Sequence, residues 1–392
     1  MRQYTRGLAE VGARVYGIGD TPREALPGDL KRYLTDYLQV PRILDEDDVL
    51  SRANTWMRGR NVDRALTNWE PLVVLAARMR ELWGLRGMSV ETAIGFRDKQ
   101  VMKERVAAAG LRVPRSARVS SVQGIWEAAE RIGYPLIVKP IAGAGSADTY
   151  RVDSKRELGA IVPRLDRVPE VSCEEFVDGE EYTFDTVCIG GRPAFENVAQ
   201  YLPRPLVARS EEWISPVIIT VRDMSQAKLA GGIALGRKVL DALHMGDGFT
   251  HMEWYRTASG EIVFGEIGAR PGGAHLVDQM NYTCDIDLFR EWARAVCFHR
   301  FEASTERKYN AAIVFKRALG QGKITRITGR DAYHARFGRW IVEDKLLPIG
   351  TERRNWRNTL VSDGYVLVRH PDWDEAHRMA FAAATDITMY AQ

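Results

Sequence analysis

The chain has 392 residues, with 45% apolar and 27% charged. That is too long for one simple core and ordinary for a water-soluble globular protein of two or three domains. Lys plus Arg outnumber Asp plus Glu by only 55 to 52, a net +3, which leaves no electrostatic footprint for nucleic acid or a membrane surface. No apolar run approaches the roughly 18 residues that a bilayer span needs.

The first hundred residues read as an α/β layer. Residues 2–10 are helix-like, "ARVYGIGD" is a strand, and "DLKRYLTDYLQV" and "EPLVVLAARMRELWG" carry helical periodicity. A doubly wound domain normally opens on a strand, so an opening strand is expected that the sequence does not display. "GFRDKQVMKERVAAAGLRVPR" reads as one helix ended by Gly110, "SVQGIWEAAERIG" as a second, and "YPLIVKPI" as a buried strand leading into the small-residue loop "AGAGSAD". Residues 173–200 alternate like antiparallel strands around "IGGRP". A helix, "QAKLAGGIALGRKVLDALH", precedes a hairpin, "GFTHMEWYRTASGEIVFGEIGAR", and a further helix, "DIDLFREWARAVCFH". The last eighty residues mix short strands ("AAIVFKRAL", "GYVLVRH") with a final helix from about Trp373. Cys173, Cys188, Cys284 and Cys297 show no CxxC spacing. They read as reduced thiols, which with the absence of a signal-peptide pattern suggests a cytoplasmic protein.

Chemistry concentrates in the hairpin. With Ser259-Gly260 as a two-residue turn, Glu253 stands opposite Glu266 and His251 opposite Gly268. Direct cross-strand partners lie about 5 Å apart at Cβ, and two carboxylates so close repel unless one is protonated or a cation sits between them. Oxygen ligands favour Mg²⁺ or Mn²⁺. A solvated hairpin face with two unrelated acids fits the same pattern, and the hairpin by itself leaves both readings open. Period two puts Arg270 on the face of the acids, where it would meet a phosphoryl oxygen or an oxyanion. Pro271-Gly272-Gly273 would let backbone approach a ligand.

Lys139 ends an apolar strand, where an unpaired ammonium is costly. The amides of Gly143, Gly145 and Ser146 after it suit a phosphate. A plain strand-end turn is the other reading, since neither GxxxxGK[ST] nor GxGxxG is present. Glu174 and Glu181 flank an Asp-Gly turn in "CEEFVDGEEYTF" and suit an adenine amino group or ribose hydroxyls as well as an ordinary charged hairpin. "YLPRPLVARSEEWISP" and "GGAHLVDQMNYT" are expected to line a substrate pocket, with Arg204 or Arg209 as candidates for a carboxylate.

Taken in order, "RDKQVMKERVAAAGLRVP", "LIVKPIAGAGS", "EEFVDGEEYTFD" and "HMEW…GEIGARPGG" resemble the ATP-grasp superfamily, in particular its biotin-carboxylase-like carboxylate–amine ligases. The resemblance covers roughly residues 95–300. It implies an α/β and α+β fold in three parts: an N-terminal Rossmann-like domain over 1–94, a nucleotide-binding and catalytic domain over 95–305, and a C-terminal mixed lobe over 306–392 closing the site. By the resemblance, Lys99 and Lys139 hold the ATP phosphates under the loop carrying Gly143, Gly145 and Ser146. Glu174, Glu175 and the backbone of Val177 read adenine, and Glu181 binds ribose. Glu253 and Glu266 hold Mg²⁺ or Mn²⁺, and Arg270 meets the acyl phosphate. One departure is Gly268, where many members carry an Asn metal ligand.

The reaction implied is ATP-dependent joining of a small carboxylate to an amine, with a homodimer possible for such enzymes. His251, His275 and Glu253 are candidates to take the amine's proton, though a structural role suits both histidines. Two other readings are a bicarbonate-using carboxylase or carbamoyl-phosphate-type enzyme, and a nucleotide-binding regulator without turnover.

Overall fold

The computed structural model of the chain describes residues 2–140, 149–165 and 170–392; Gly143, Gly145 and Ser146 lie outside them. Helix α1 (Arg2–Glu10) leads into β1 (Tyr16–Gly19). The stretch "DLKRYLTDYLQV", expected to be helical throughout, divides into α2 (Gly28–Tyr33) and β2 (Asp36–Gln39). Its helix stops at Leu34, which is extended. The Thr35 N–H then donates to Val15 O at 2.8 Å, and β2 runs parallel to β1 with Ile18 opposite Leu38. Pairing with a neighbouring strand outweighs the local helical pattern. Helices α3 (Glu46–Trp56) and α4 (Val73–Leu82) supply Val49, Leu75 and Met79 to the core of this layer.

The single helix expected from residue 95 to Gly110 is two: α5 (Val90–Arg97) and α6 (Lys99–Ala108). Asp98 separates them. Its backbone is extended and its carboxylate accepts from the amides of Gln100 and Val101, so it caps α6, as an acid at a helix start should. The break turns Lys99 and Lys103 toward the site described below.

A small antiparallel sheet follows. Its strands are β3 (Ser116–Val119), β4 (Leu136–Pro140), β5 (Tyr150–Val152) and β6 (Val171–Glu175), in the order β3-β6-β4-β5. Helices α7 (Val122–Ile132) and α8 (Lys155–Leu165) pack Ile125, Ala128 and Leu158 against Leu136, Val138 and Cys173. Alternation along β4 and β6 therefore sends Lys139 and Glu174 to the other face.

The large sheet has eight strands in the order β11-β10-β7-β8-β9-β12-β16-β15. They are β7 (Glu180–Ile189), β8 (Arg192–Leu202), β9 (Val217–Thr220), β10 (Gly248–Arg256), β11 (Ile262–Gly268), β12 (Asn310–Phe315), β15 (Ile341–Asp344) and β16 (Tyr365–His370). Short α9 (Pro205–Ala208) and long α10 (Ala227–Ala242) lie between β8 and β10. Leu229, Val239 and Leu240 of α10 pack on Tyr182, Phe184 and Trp254. Helices α11 (Leu276–Cys284) and α12 (Leu288–Phe298) follow β11. Helix α1 packs against α2 of its own layer and also docks here: Arg2 pairs with Asp29 at 3.7 Å, Tyr4 meets Phe249, Phe289 and Trp292 edge-on, and Arg6 pairs with Asp287 at 2.8 Å.

Strand β9, for which no expectation was made, joins the two halves. It pairs with β8 on one side and with β12 on the other. Beyond β12, a three-stranded sheet of β13 (Leu319–Gly320), β14 (Ile324–Thr328) and β17 (Thr388–Ala391) accompanies α13 (Arg330–Phe337) and α14 (Trp373–Asp386). Met379, Ala380 and Ala383 of α14 cover Val217, Ile219, Val314 and Val366.

A chain ending at residue 305 would leave β9 without β12 and without α14 over Val217 and Ile219. Exposing that strand edge and apolar face should abolish the cooperative thermal transition and send the fragment to the insoluble fraction. A soluble 1–305 chain with a sharp melting curve would contradict this account.

Candidate active site

The polar face of the large sheet carries the acids. Thr183 and Asp185 of β7 stand opposite Glu253 and His251 of β10, and Glu181 opposite Tyr255. The alternate residues Tyr182, Phe184, Met252 and Trp254 enter the core. Period two along β11 would put Phe264 and Glu266 on one face. A bulge at Gly265 separates them: Trp254 pairs with Phe264, whereas Glu253 pairs with Glu266. The facing of the two glutamates thus has a different origin from a two-residue turn. The loop is longer, with Gly260 N–H donating to Thr257 O and Thr257 N–H to Glu261 O, and the bulge restores the register that the loop displaces.

Glu253 and Glu266 are held differently. Lys99 Nζ lies 2.7 Å from Glu266 Oε2. Burial would raise the Glu266 pKa, but Lys99 and Lys139 hold it down to about 2. Burial and the facing Glu266 push Glu253 up instead. Its partners are the Tyr201 hydroxyl, donating to Oε1 at 3.2 Å, and His251 Nε2 at 3.8 Å. His251 Nδ1 is 2.6 Å from Asp185 Oδ1, and Asp185 also accepts from Thr183 and Asn197. Asp185 raises the His251 pKa against the effect of burial. His251 is thus a buried, partnered ring beside the acids, whereas His275 pairs with Asp278 and stacks on Tyr365.

No group of three or more His, Cys, Asp or Glu able to hold a metal occurs among the described residues. Two opposed carboxylates, one uncompensated, nevertheless fit a hard divalent cation that takes its remaining oxygens from substrate phosphate and water.

Arg270 lies just past β11. Its stem folds over Gly268, where an added Cβ would stand 3.2 Å from Arg270 Cγ. The space left by Gly268 is therefore filled by the arginine, which stays on the face of the acids. Its Nε donates to Glu70 Oε2 at 3.0 Å and its Nη1 to Pro271 O at 2.8 Å. Gly272 departs from the expected ligand approach: a Cβ there would come within 2.7 Å of Leu276 and 3.1 Å of His251, so its smallness serves packing.

The nucleotide-side candidates converge on one cleft of about 100 Å³. Its walls include Lys99, Lys139, Glu174, Glu175, Phe176, Val177, Glu181, Arg204, Glu253 and Glu266. Lys139 Nζ is 2.9 Å from Glu174 Oε2. The Glu175 carboxylate turns instead to Arg112 and Arg115, at 2.8 and 3.3 Å. Arg204 donates to Glu181 Oε2 at 3.1 Å and sits 5.0 Å from the centroids of both Phe176 and Tyr255. It lines this cleft and is engaged with Glu181. Arg209 is half-buried on the turn after α9, and burial lowers its pKa.

Sequence reasoning missed Lys103, Glu70 and the Asp185–His251 pair. Lys103 had a signal, because it falls four residues after Lys99 on a helix. Glu70 had none, since it meets Arg270 from 200 positions away.

Burial and the charge of Glu253 push Glu181 up to about 8, against the pull of Arg204. A carboxyl whose folded pKa exceeds its unfolded value of about 4.3 binds more protons folded than unfolded between those two values. Its contribution to stability is present at low pH and is lost as pH rises through that window. Glu181→Gln should therefore gain melting temperature relative to wild type as pH rises from 5 to 8.5. A difference that stays constant or shrinks with pH would contradict the protonated, buried Glu181.

The model of the carbamoyl-phosphate synthase L chain ATP-binding domain matches residues 98–172. An L-arginine-specific L-amino acid ligase of Bacillus subtilis is 27% identical over 234 residues, which are 58% of this chain and 56% of that protein. The alanine–anticapsin ligase of Bacillus subtilis (strain 168) is 37% identical over 260 residues, 60% of this chain and 54% of that one. The chain thus spans a little over half the length of these curated relatives. Among solved structures, an L-amino acid ligase from Bacillus licheniformis superposes with a TM-score of 0.80 at 19% identity, covering 100% of this chain and 97% of that one. N5-carboxyaminoimidazole ribonucleotide synthetase from Thermotoga maritima gives 0.73 at 18%, covering 100% and 96%. The chain thus has the fold of these solved ligase structures and carries, over residues 98–172, a segment matching the carbamoyl-phosphate synthase L chain ATP-binding domain of the ATP-grasp type.

Proposed function

We propose that the chain is an ADP-forming ligase that joins a small carboxylate, of the amino-acid class, to an amine. The observation that carries this reading is the convergence of Lys99, Lys139, Glu253, Glu266 and Arg270 on neighbouring walls of one site, each already engaged with a group of opposite charge or facing a like one. The similarity to an L-amino acid ligase and an alanine–anticapsin ligase, over 58% and 60% of this chain, supports the substrate class. The proposed division is 1–94, 95–305 and 306–392, with the central part holding the nucleotide.

In this reading Lys99 and Lys139 exchange their carboxylate partners for phosphate oxygens of ATP. Glu253 and Glu266 would hold Mg²⁺ or Mn²⁺, which offsets phosphate charge. The substrate carboxylate attacks the γ-phosphorus and ADP leaves, giving an acyl phosphate. The amine nitrogen then attacks the acyl carbon, phosphate leaves, and the amine proton is lost. Arg270 is placed to grip the acyl phosphate, its Glu70 partner keeping the guanidinium oriented. Positioning and fixed charge supply much of the rate in phosphoryl transfer. His251 is fixed by Asp185 beside Glu253 and acts as a support for that carboxylate.

Two substitutions test the reading with Mg-ATP, candidate amino acids and hydroxylamine. Glu266→Gln should bind nucleotide but release no ADP in response to acid. Arg270→Lys should keep the fold and fall in rate by about a hundredfold, because a lysine cannot make the two-oxygen grip and one preorganised donor is lost. Wild type should yield a hydroxamate and Arg270→Lys much less. Turnover with bicarbonate alone, and no hydroxamate from any acid, would favour carboxylase-type chemistry instead.

A further inference from the structure

Lys103 is one of the most deeply buried charged side chains in the chain, 4% exposed. It lies one helical turn after Lys99 on α6, and the two lysines go to different sheets. Lys99 reaches Glu266 on β11 of the large sheet, whereas Lys103 Nζ forms a close ion pair with Glu174 Oε1 on β6 of the small one. Glu174 is 6% exposed. It also accepts from Ser172 Oγ at 2.7 Å and meets Lys139 at Oε2. One buried carboxylate therefore has two cations, one of which belongs to the proposed phosphate machinery.

That distinction has a consequence when nucleotide enters. If Lys139 turns to a phosphate, Glu174 keeps only Lys103 and Ser172. A buried carboxylate left without a cation would take up a proton or shift position. With Lys103 in place it remains an ionised acceptor with a fixed direction. We infer that Lys103 is a positioning residue for nucleobase selection: it holds Glu174 as a pure acceptor at the cleft, so that the site takes a purine bearing a 6-amino group and rejects one bearing a 6-oxo group. The inference rests on the proposed nucleotide reading of the cleft and goes beyond it in assigning base discrimination to a residue outside the cleft wall. The physical basis is asymmetric. An amino group donates to the carboxylate, whereas a 6-oxo group sets oxygen against oxygen and leaves a buried charge without a donor.

The test is calorimetric binding of ADP and GDP, with Mg²⁺, to the full chain, beside thermal melts. Two variants are used: Lys103→Met, and Lys103→Met combined with Glu174→Gln. The second removes both charges and keeps a measurable protein if the single variant fails to fold. Wild type should prefer ADP by about a hundredfold or more. Lys103→Met should lose about tenfold or more for ADP with little change for GDP, and the double variant should show a similarly narrowed ratio. A ratio equal to wild type in whichever variants fold would overturn the role of Lys103. A parallel loss for both nucleotides would also overturn it, since that marks a merely structural residue. Wild type binding neither nucleotide would sink the nucleotide reading itself, a result distinguishable from the other two.

Discussion

Glu253 and Glu266 face each other across two hydrogen-bonded strands on the wall of the cleft, and the rest of the site answers that constraint. Directly paired positions hold their Cβ atoms about 5 Å apart, so two ionised carboxylates there repel. The fold meets this unequally. Lys99 and Lys139 hold Glu266 ionised, while burial and the facing Glu266 raise the pKa of Glu253 against the pull of His251 and Lys99. An arrangement so unbalanced is poised to accept a divalent cation, whereas a fully paired one would have nothing to gain.

The start of α6 has a local cause, the Asp98 cap. Had α5 and α6 been continuous, the direction of Lys99 and Lys103 would follow from the axis of α5. Capping by Asp98 frees α6 to aim both lysines, and Arg118 of β3 ties Asp98 to the small sheet at 3.1 Å. The helix thereby bridges the two sheets with charges: Lys99 to Glu266 of the large sheet, Lys103 to Glu174 of the small one, Asp98 to Arg118 on the strand beside it.

How much of this is legible in the sequence depends on the range of the interaction concerned. The facing glutamates, the lysine at the end of β4 and the acids around the Asp-Gly turn are local patterns on strands and are readable. The correct register of the hairpin is readable only in part: loop and bulge shift it in opposite senses, and Gly265 carries the only trace. The helix break at Asp98 was present as an Asp followed by a lysine-rich amphipathic run, but continuous periodicity on both sides hid it. Strand β2 lost its signal because "DYLQ" becomes a strand only through its pairing with β1. Glu70 and the Asp185–His251 pair depend on tertiary contacts for which no sequence spacing speaks.

The departure at Gly268 takes its meaning from the same geometry. A missing amide ligand on β11 would at first suggest a site losing its metal chemistry. The Arg270 stem instead occupies the vacated space, and Glu70 orients the guanidinium from the N-terminal layer. A Cβ at 268 would stand 3.2 Å from Arg270 Cγ, so an asparagine there would press the arginine stem aside by a few tenths of an ångström. Glycine at 268 leaves the Arg270 stem room to lie over the end of β11, and Glu70 fixes the guanidinium there. Since that guanidinium is anchored by Glu70, the N-terminal layer becomes part of the site's electrostatics, and α1 docked on α12 through Arg6–Asp287 helps fix the layer to the body of the protein.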